Sequence, residues 1–421
     1  MSMPAAAPHR PPKMSSAAIV QLNTTLADTH QRFEQLSQAG ELQQAYQLAR
    51  QVATRYPFVA PIWISAGVAA LNLGEFQHAR QCFQAALQCA PDSIEPLDGL
   101  ADCLWQLGER VLSQRYGLRS LQLKDAMPAC IQPQPLTNAP AAFNSADPSR
   151  NIIAFSLFGN QPRYCETAKL NVRAAHTFYP HWRCRFYVDD TVMPDVAEQL
   201  QQLGAQVVFA PADMRHWAGT LWRFLAVDDP LVDRVIVRDA DSLISRREMH
   251  AVEQWLNSDQ YFHVMRDWGS HSELMLAGMW GMARGGLGAY SMRMLLQHFT
   301  AQEYSRSHGD QHFLRQWIWP QAKQSLMSHD GIYQFQHALP FPDGAWRKPT
   351  AHVGANFGAP QIAKTSSAPE GSDVMVNIHH GDSILCRYPA KVLHGEWRLH
   401  LPDCYAHKIQ RGEYWVSDAL I

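Results

Sequence analysis

Two carboxylates, Asp239 and Asp241, follow the apolar run at residues 235–237. Three consecutive β-branched residues favour a buried strand over a helix, and residues two apart in an extended backbone point to the same side. Ligands of α/β sheets bind beyond the carboxyl ends of strands. Two like charges this close repel unless a cation lies between them, and Mg²⁺ or Mn²⁺ takes oxygen ligands and also binds phosphate. The spacing therefore predicts a metal–diphosphate site for a nucleotide-activated substrate.

The same Asp-x-Asp pattern also occurs in solvated turns that bind nothing. The metal interpretation requires both side chains to face a cleft and not to be engaged only by neighbouring arginines. Its context favours the interpretation, because Ser245 and Glu248 form a capping-box pattern that predicts a helix directly after the acidic turn. Glu248 then has a structural role and is not a candidate acid or base.

Composition bounds the class of protein. The chain has 421 residues, so two domains are expected; 46% of the residues are hydrophobic and the net charge is −2. The near-neutral net charge does not indicate nucleic-acid binding. No apolar run is long enough to predict a transmembrane segment. The eight cysteines form no C-x-x-C pair, which favours reduced thiols and a cytoplasmic location. Residues 1–26 are interpreted as a disordered tail without a signal peptide.

An internal repeat covers residues 27–127. Gly40, Gly74 and Gly108 recur at intervals of 34 residues, and small residues at fixed offsets predict closely packed antiparallel helices. The pattern resembles the tetratricopeptide repeat (TPR), most clearly in the middle copy. Three such repeats form a short solenoid with a concave face, for which we predict a protein partner. A rigid spacer or dimer surface is the alternative.

A Pro-, Ala- and Asn-rich stretch at residues 128–150 predicts a linker. Strand and helix patterns alternate from residue 151, which predicts an α/β domain with a mostly parallel sheet over residues 151–421. The first strand ends near Phe158 and Asn160, which are candidates for base or ribose contacts or for core and turn roles. Arg223, on a helix before the central strand, could reach a diphosphate or could pair with Asp228 or Asp229.

Several segments together resemble the GT-A glycosyltransferases, and in particular bacterial enzymes with a DXD motif that act in surface-polysaccharide or protein glycosylation. The likeness covers about residues 151–355 and includes the following sequences: Trp-Arg-Phe-Leu-Ala-Val-Asp-Asp-Pro, Val-Ile-Val-Arg-Asp-Ala-Asp-Ser, Val-Met-Arg-Asp, Ala-Gly-Met-Trp-Gly and Gly-Asp-Gln. It implies a GT-A fold, that is, a Rossmann-like mixed sheet. It also implies a nucleotide-sugar donor, expected to be a UDP-sugar, and a glycan or protein acceptor.

The resemblance assigns roles by position. Asp239 and Asp241 match the DXD and are the expected Mn²⁺ or Mg²⁺ ligands, with Asp239 and its neighbour Arg238 also on the donor. Gly278 permits close backbone approach, and Trp280 could stack on a sugar. A late histidine is expected as the third metal ligand; His352 is the first candidate, followed by His379 and His380.

An inverting transferase also needs a base for the acceptor hydroxyl. The candidates are Asp310, Asp267 and Glu273, in that order, with exposed acids or helix caps as the alternative for each. Inverting and retaining stereochemistry both stay open.

The sequence therefore predicts a metal-dependent glycosyltransferase whose repeats engage an acceptor or partner. The alternative is a repeat-bearing scaffold protein with a degenerate transferase domain. A nucleotidyltransferase is disfavoured because the opening loop at residues 158–161 lacks the expected Gly-rich, Lys-containing sequence.

Overall fold

The computed structural model describes residues 12–306, 308–344 and 351–421. The chain divides into two units. The first contains the N-terminal helices up to Pro128 together with Trp268–Leu274 and Gly331–His337. The second contains Ala129–Asp267, Met275–Asp330 and Ala338–Ile421.

The first unit is built from helical pairs. Its helices are α1 (Ser16–Gln38), α2 (Leu42–Arg55), α3 (Ala60–Asn72), α4 (Phe76–Cys89), α5 (Ile94–Gln106) and α6 (Arg110–Asp125). The glycines that recur every 34 residues follow α1, α3 and α5 with φ between 76° and 79°, a left-handed conformation that suits glycine and ends each helix. Residues 16–26, assigned by the sequence to a tail, belong to α1, whose first turn is capped by the Ser15 side chain.

The repeats pack through small residues around large ones. Gly67 on α3 and Gly99 on α5 lie against the buried Phe83 ring of α4, and a Cβ atom at either glycine would overlap that ring. Close packing of α4 against α3 and α5 therefore depends on these two glycines. This confirms the helical repeats.

The third helical pair encloses a charged cluster. Lys124 on α6 is 3% exposed. Its ammonium group donates to both carboxylate oxygens of Asp98 at 2.8 and 3.1 Å and to the carbonyl oxygen of Ser272 at 2.6 Å. The hydroxyl of Ser272 also donates to Asp98. We call these residues, with Glu273, the Lys124 cluster; it ties the segment Trp268–Leu274 to the third repeat.

The second unit is organised around a seven-stranded mixed sheet in the order β3-β2-β1-β4-β6-β5-β7. Its strands are β1 (Asn151–Leu157), β2 (Arg183–Val188), β3 (Gln206–Phe209), β4 (Arg234–Arg238), β5 (Phe262–Arg266), β6 (Met279–Ala283) and β7 (Leu326–Asp330). β1 and β4 are buried throughout, as strands covered on both faces must be. β6 runs antiparallel to both of its neighbours, β4 and β5.

Helices connect these strands. They are α7 (Pro162–Phe178), α8 (Pro194–Gln202), α9 (Arg246–Leu256), α10 (Met292–Thr300), α11 (Gly309–Phe313) and α12 (Trp319–Ala322), with a 3₁₀ helix at Gly219–Asp228. The chain runs from β1 outward through β2 to β3 and then returns to β4 on the other side of β1. This reversal of strand order opens a crevice at the carboxyl ends of β1 and β4.

The predicted linker lies against the second unit from residue 129 onward. The Gln134 amide donates to the side chain of Gln321, and the carbonyl oxygen of Ala141 accepts from Arg234. The segment has no helix or strand before the short 3₁₀ turn at Pro148–Arg150. The segment from residue 129 is therefore an ordered part of the α/β unit.

The C-terminal region adds two small antiparallel sheets. Its elements are β8 (Gln361–Thr365), β9 (Asp373–His380), β10 (Ser383–Lys391), β11 (Glu396–His400), α13 (Asp403–Gln410) and β12 (Trp415–Leu420). The strand orders are β10-β9-β12 and β11-β8. Among the described residues, no helix is long and apolar enough to cross a membrane.

Candidate functional site

A cleft of about 360 Å³ lies at the crevice between β1 and β4. Residues from the end of β1, the turn after β4 and three neighbouring segments line it: Ser156, Leu157, Phe158, Tyr164, Thr220, Arg223, Asp239, Ala240, Asp241, Ala277, His308, Asp310 and Gln311. A larger but more open depression of about 570 Å³ lies between α9 and β7; its lining includes His250 and Glu253 of α9 together with Met327, Leu339 and Pro342, and no carboxylate at a strand end. The cleft at the strand ends is therefore the candidate site.

Both carboxylates of the Asp-x-Asp pair line this cleft. The side chains of Asp239 and Asp241 are 45% and 20% exposed. Each also pairs with an arginine: Asp239 with Arg223 at 2.5 Å, and Asp241 with Arg163 at 3.0 Å. The cleft requirement of the sequence interpretation is met. The second requirement is not, because the side-chain partner of each carboxylate among the described residues is an arginine, which neutralises one of its oxygens.

Arg223 is the centre of the cleft's charge network. Only 2% exposed, it donates to Asp239, to the carbonyl oxygen of Arg238 at 3.0 Å and to Asp310 at 3.2 Å. Burial opposes its charge, but the Asp239 and Asp310 carboxylates outweigh burial and raise the pKa of the guanidinium. The alternative of a surface Arg paired with Asp228 or Asp229 is wrong, since these acids cap α10 and pair with Arg185.

Asp310 faces the same cleft from the first turn of α11 and is 6% exposed. Burial raises the pKa of its carboxyl group, Arg223 lowers it, and Asp239 raises it further, with a net upward shift. A carboxylate with a raised pKa accepts protons more readily than an ordinary one. Asp310 thus combines cleft access with the basicity that a general base needs.

Asp241 has a raised pKa for the same physical reasons. Burial is the larger cause and repulsion from Asp239 the next, while Arg163 acts in the opposite direction. Tyr164, one residue after Arg163 at the start of α7, has its pKa raised by burial and then by Asp241. The acidic pair is under mutual electrostatic strain that a cation would relieve.

Gly278 lies directly against the acidic pair. A Cβ atom there would overlap the Asp239 carboxylate. The glycine thus permits the close approach that the sequence predicts, but the group it approaches is Asp239. Its neighbour Ala277 lines the cleft.

Trp280 and Arg238, both predicted on the donor, lie inside the unit. Trp280 is fully buried in β6 opposite Val237, one step below the strand end, with its ring edge-on to Phe224. Arg238 is buried and donates to Glu248 at 3.1 Å. Neither side chain lines the cleft. Glu248 is thereby occupied and does not complete the capping box, although its amide donates to Ser245.

The two lower-ranked base candidates also lie away from the cleft. Asp267 is held by Arg247 through two hydrogen bonds of 2.7 and 2.8 Å and accepts a third from the Val353 amide. Glu273 belongs to the first unit, 3.4 Å from the ammonium of Lys124. Both are structural carboxylates, which leaves Asp310 as the base candidate in the cleft.

The predicted third metal ligands are not in the cleft lining. His352 is half-buried and lies near Asp267. His379 stacks on Trp415 in the C-terminal sheet and contacts Ser417, and His380 packs against Tyr414. In the described part of the chain, no group of three or more His, Cys, Asp or Glu side chains is arranged to hold a metal ion.

The end of β1 supplies an aromatic wall. Phe158 lines the cleft with 41% exposure, and its ring packs edge-on against Trp222. Asn160 is half-buried and is not part of the lining. Of the two donor contacts predicted for this loop, the structure brings Phe158 to the site.

Sequence reasoning missed several residues of the cleft. They are Tyr164, Thr220, His308 and Gln311 in the lining, and Arg163 behind Asp241. The rule that ligands bind where strand order reverses would have directed attention to the first turn of the helix after β1, where Arg163 and Tyr164 lie. His308 and Gln311 flank Asp310 and could have been included with it.

Comparison with known proteins identifies one repeat. The family model "Tetratricopeptide repeat" matches residues 60–93, the middle copy. No curated protein matches the chain. The chain thus carries a tetratricopeptide repeat within its N-terminal helices and continues into a mixed α/β domain.

Two of the solved structures to which this chain is similar show weak likenesses. One is the type III secretion translocator chaperone SycD of Yersinia enterocolitica, at 16% identity and TM-score 0.25, covering 28% of this chain and 83% of that chain. Another is a mutant O-GlcNAc transferase of Thermobaculum terrenum, at 11% identity and TM-score 0.28, covering 53% of this chain. This chain spans 47% of that transferase. At these TM-scores neither likeness bears on the fold or function of this chain.

Proposed function

We propose that the α/β unit is a metal-dependent glycosyltransferase of the GT-A class, using a nucleotide-sugar donor and a glycan or protein acceptor. One observation carries this proposal: Asp239, Asp241 and Asp310 converge, with Arg223 among them, on a cleft at the strand-order reversal of a mixed sheet. An inverting reaction of a diphosphate-activated donor uses such a combination of cation ligands, fixed positive charge and a basic carboxylate.

The carboxylate pair fits a hard divalent cation. Mg²⁺ is commonly held by one or two carboxylates, with water and substrate phosphate completing its shell. Asp239 and Asp241 would hold Mn²⁺ or Mg²⁺, and the bound ion would supply neutralisation of the leaving diphosphate. Burial and the raised pKa of Asp241 support this assignment, because a cation offsets both.

The other groups of the cleft have separate tasks. Arg223 holds Asp239 and Asp310 at a fixed separation through one guanidinium, which orients the ion site relative to the base. Asp310 would accept the proton of the acceptor hydroxyl in an inverting reaction. Phe158 offers an exposed ring against which a nucleobase could stack.

Metal-dependent donor binding tests the proposal directly. We expect the thermal unfolding temperature of the full chain to rise with UDP only when Mn²⁺ is present, and the shift to disappear in EDTA. Asp241→Ala should abolish the shift and sugar transfer while the circular dichroism spectrum is unchanged. Asp190→Ala is the matched control, since Asp190 is an exposed acid that pairs with Arg215 and does not line the cleft. Transfer at full rate in EDTA, or by Asp241→Ala, would refute the proposal.

A second candidate is a binding protein whose transferase domain is inactive. The observation that favours it is the arginine on each carboxylate, together with the lack of a third metal ligand among the residues described. Inertness of the unchanged protein to Mn²⁺ and to a panel of nucleotide-sugars would support this candidate. The repeats would then be the functional part and would bind a protein partner, which pull-down with the full chain would identify.

A further inference from the structure

Arg163 occupies a position that the proposed reaction does not yet use. It is the second residue of α7, which follows β1 at the edge of the cleft. Its Nη2 atom donates to the Asp241 carboxylate at 3.0 Å, and the two side chains are 24% and 20% exposed. The arginine thus competes with any cation for the charge of the same carboxylate.

The C-terminal region holds this pair in place. The Phe357 amide donates to the carbonyl oxygen of Asp241 at 2.7 Å, and Asn356 forms a β-bridge with Ser242. Gly358 packs against the Cβ atom and backbone of Arg163 so closely that a Cβ atom added at Gly358 would overlap the Arg163 Cβ. Segment 356–358 therefore fixes both partners of the ion pair.

The guanidinium of Arg163 keeps unused binding capacity. It lies 4.7 Å from the ring centre of Tyr164, which itself lines the cleft. Its Nε atom is buried and has no hydrogen-bond acceptor in the described part of the chain. An arginine with one carboxylate bond and a vacant buried donor can form a bidentate bond to another anion.

We propose that Arg163 neutralises Asp241 while the cleft is empty, and that it moves to an oxygen of the donor diphosphate when a divalent cation takes Asp241. This inference rests on the proposed function. Three carboxylates and two guanidiniums leave the empty cleft with one net negative charge, before any charge on His308. A divalent cation changes it to one net positive charge, which attracts a diphosphate and repels the nearby guanidinium from the shared carboxylate.

The exchange predicts opposite effects of one substitution on two ligands. In Arg163→Ala, Mn²⁺ alone should bind about three- to tenfold more tightly, because its competitor for Asp241 is gone. UDP should bind about tenfold more weakly at saturating Mn²⁺, because a charged hydrogen bond to phosphate is lost. Arg163→Lys keeps the charge but not the planar fork. Its affinities for Mn²⁺ and for UDP should therefore lie between those of the unchanged protein and those of Arg163→Ala. Arg173→Ala, an exposed arginine on the same helix, should change neither affinity.

Titration calorimetry of the full chain measures both affinities without any transfer reaction. A damaged fold would weaken both ligands, so tighter Mn²⁺ with weaker UDP is the result that supports the exchange. If the unchanged protein binds Mn²⁺ and UDP but Arg163→Ala binds Mn²⁺ equally or less well, the exchange is wrong and the proposed function stands. If the unchanged protein binds no Mn²⁺, the metal-dependent function and the exchange both fail.

Discussion

The two units each contain a cluster of opposite charges, and the clusters differ in how completely they are satisfied. The Lys124 cluster is closed: the ammonium group is 3% exposed and has oxygen acceptors on Asp98 and Ser272. The cleft cluster is open: Asp239 is 45% exposed on its side chain, and Arg223 keeps a buried Nε atom without an acceptor among the described residues.

The difference separates charge used for folding from charge available for chemistry. A buried pair with all its hydrogen bonds made stabilises one arrangement and has nothing left for a ligand. An incompletely satisfied cluster on a cleft retains binding capacity at some cost in stability. Changes in the closed cluster should therefore appear in unfolding, and changes in the open cluster in binding and turnover.

The largest expected effect is on turnover, from Asp310→Asn. Loss of the carboxylate that faces the cleft should lower the rate of sugar transfer about a hundredfold or more, because the amide cannot accept the acceptor's proton. UDP binding with Mn²⁺ should change much less. Glu303→Gln, an exposed acid a few residues earlier, is the control and should keep full activity. Wild-type turnover in Asp310→Asn would remove Asp310 from the mechanism.

The next effect is on stability, from Lys124→Met. Removal of the ammonium leaves Asp98 without its cationic partner and the Ser272 carbonyl oxygen without this donor, and we expect a loss of about 2–3 kcal/mol in the free energy of unfolding. Urea denaturation followed by far-UV circular dichroism measures it. Arg119→Met on the same helix breaks an exposed pair with Asp92 and should cost no more than about 0.5 kcal/mol. Equal losses in the two variants would mean that the buried Lys124 contributes no more to stability than the exposed Arg119.

A hydrogen bond between two buried, neutral histidines should make the free energy of unfolding depend on pH. His263 on β5 and His329 on β7 share a 2.8 Å hydrogen bond, and burial lowers the pKa of His329 to about 4. Below pH 6.5 the unfolded chain takes up protons that the folded ring refuses, so stability falls as pH drops from 6.5 towards 4. For one such ring the loss is about 2 kcal/mol at pH 5 relative to pH 7.

Comparison with a variant isolates this contribution. In His329→Gln, the free energy of unfolding should depend less on pH between 7 and 5 than in the unchanged protein. His298→Gln removes an exposed histidine and should keep the unchanged protein's dependence. If His329→Gln keeps that dependence as well, the buried pair is not its source.

The smallest expected effect is on ligand binding by the open cluster, from Gly278→Ala. Gly278→Ala places a methyl group where the Asp239 carboxylate lies, so the carboxylate must shift. We expect Mn²⁺-dependent UDP binding to weaken about tenfold, a modest loss for a small displacement. Gly331→Ala is the matched control, since no atom lies within 4 Å of its added Cβ. Unchanged binding in Gly278→Ala would show that the position of Asp239 is not critical.

Local patterns predicted most of the elements of the fold. Period, capping and turn residues located the repeat helices and the strands of the mixed sheet up to β4, because these depend on neighbours in the sequence. They did not predict β5, β6 or β7. The acidic turn after β4 was located for the same reason. β1 begins at Asn151, where the strand and helix patterns begin in the sequence, and β4 includes the apolar run at residues 235–237.

The side-chain environment of the site required the three-dimensional structure. Trp280 is buried because β6 runs antiparallel to β4 and sets it opposite Val237, a register that no local pattern contains. Arg238 forms an ion pair with Glu248. Glu273 lies beside Lys124, which is 149 positions away in the sequence. Long-range pairing of this kind decides which acids and bases are free for a ligand. The metal, the donor and the acceptor stay predictions.

The Lys124 cluster has a consequence for synthesis on the ribosome. The partner of Lys124 at Ser272 lies 148 residues further along the chain. At about 5–20 residues per second, its codon is reached roughly 7–30 s after that of the lysine. During this interval the nascent third repeat exposes an ammonium group that the finished protein encloses. Completion of the first helical unit must therefore wait until much of the α/β sheet has been translated.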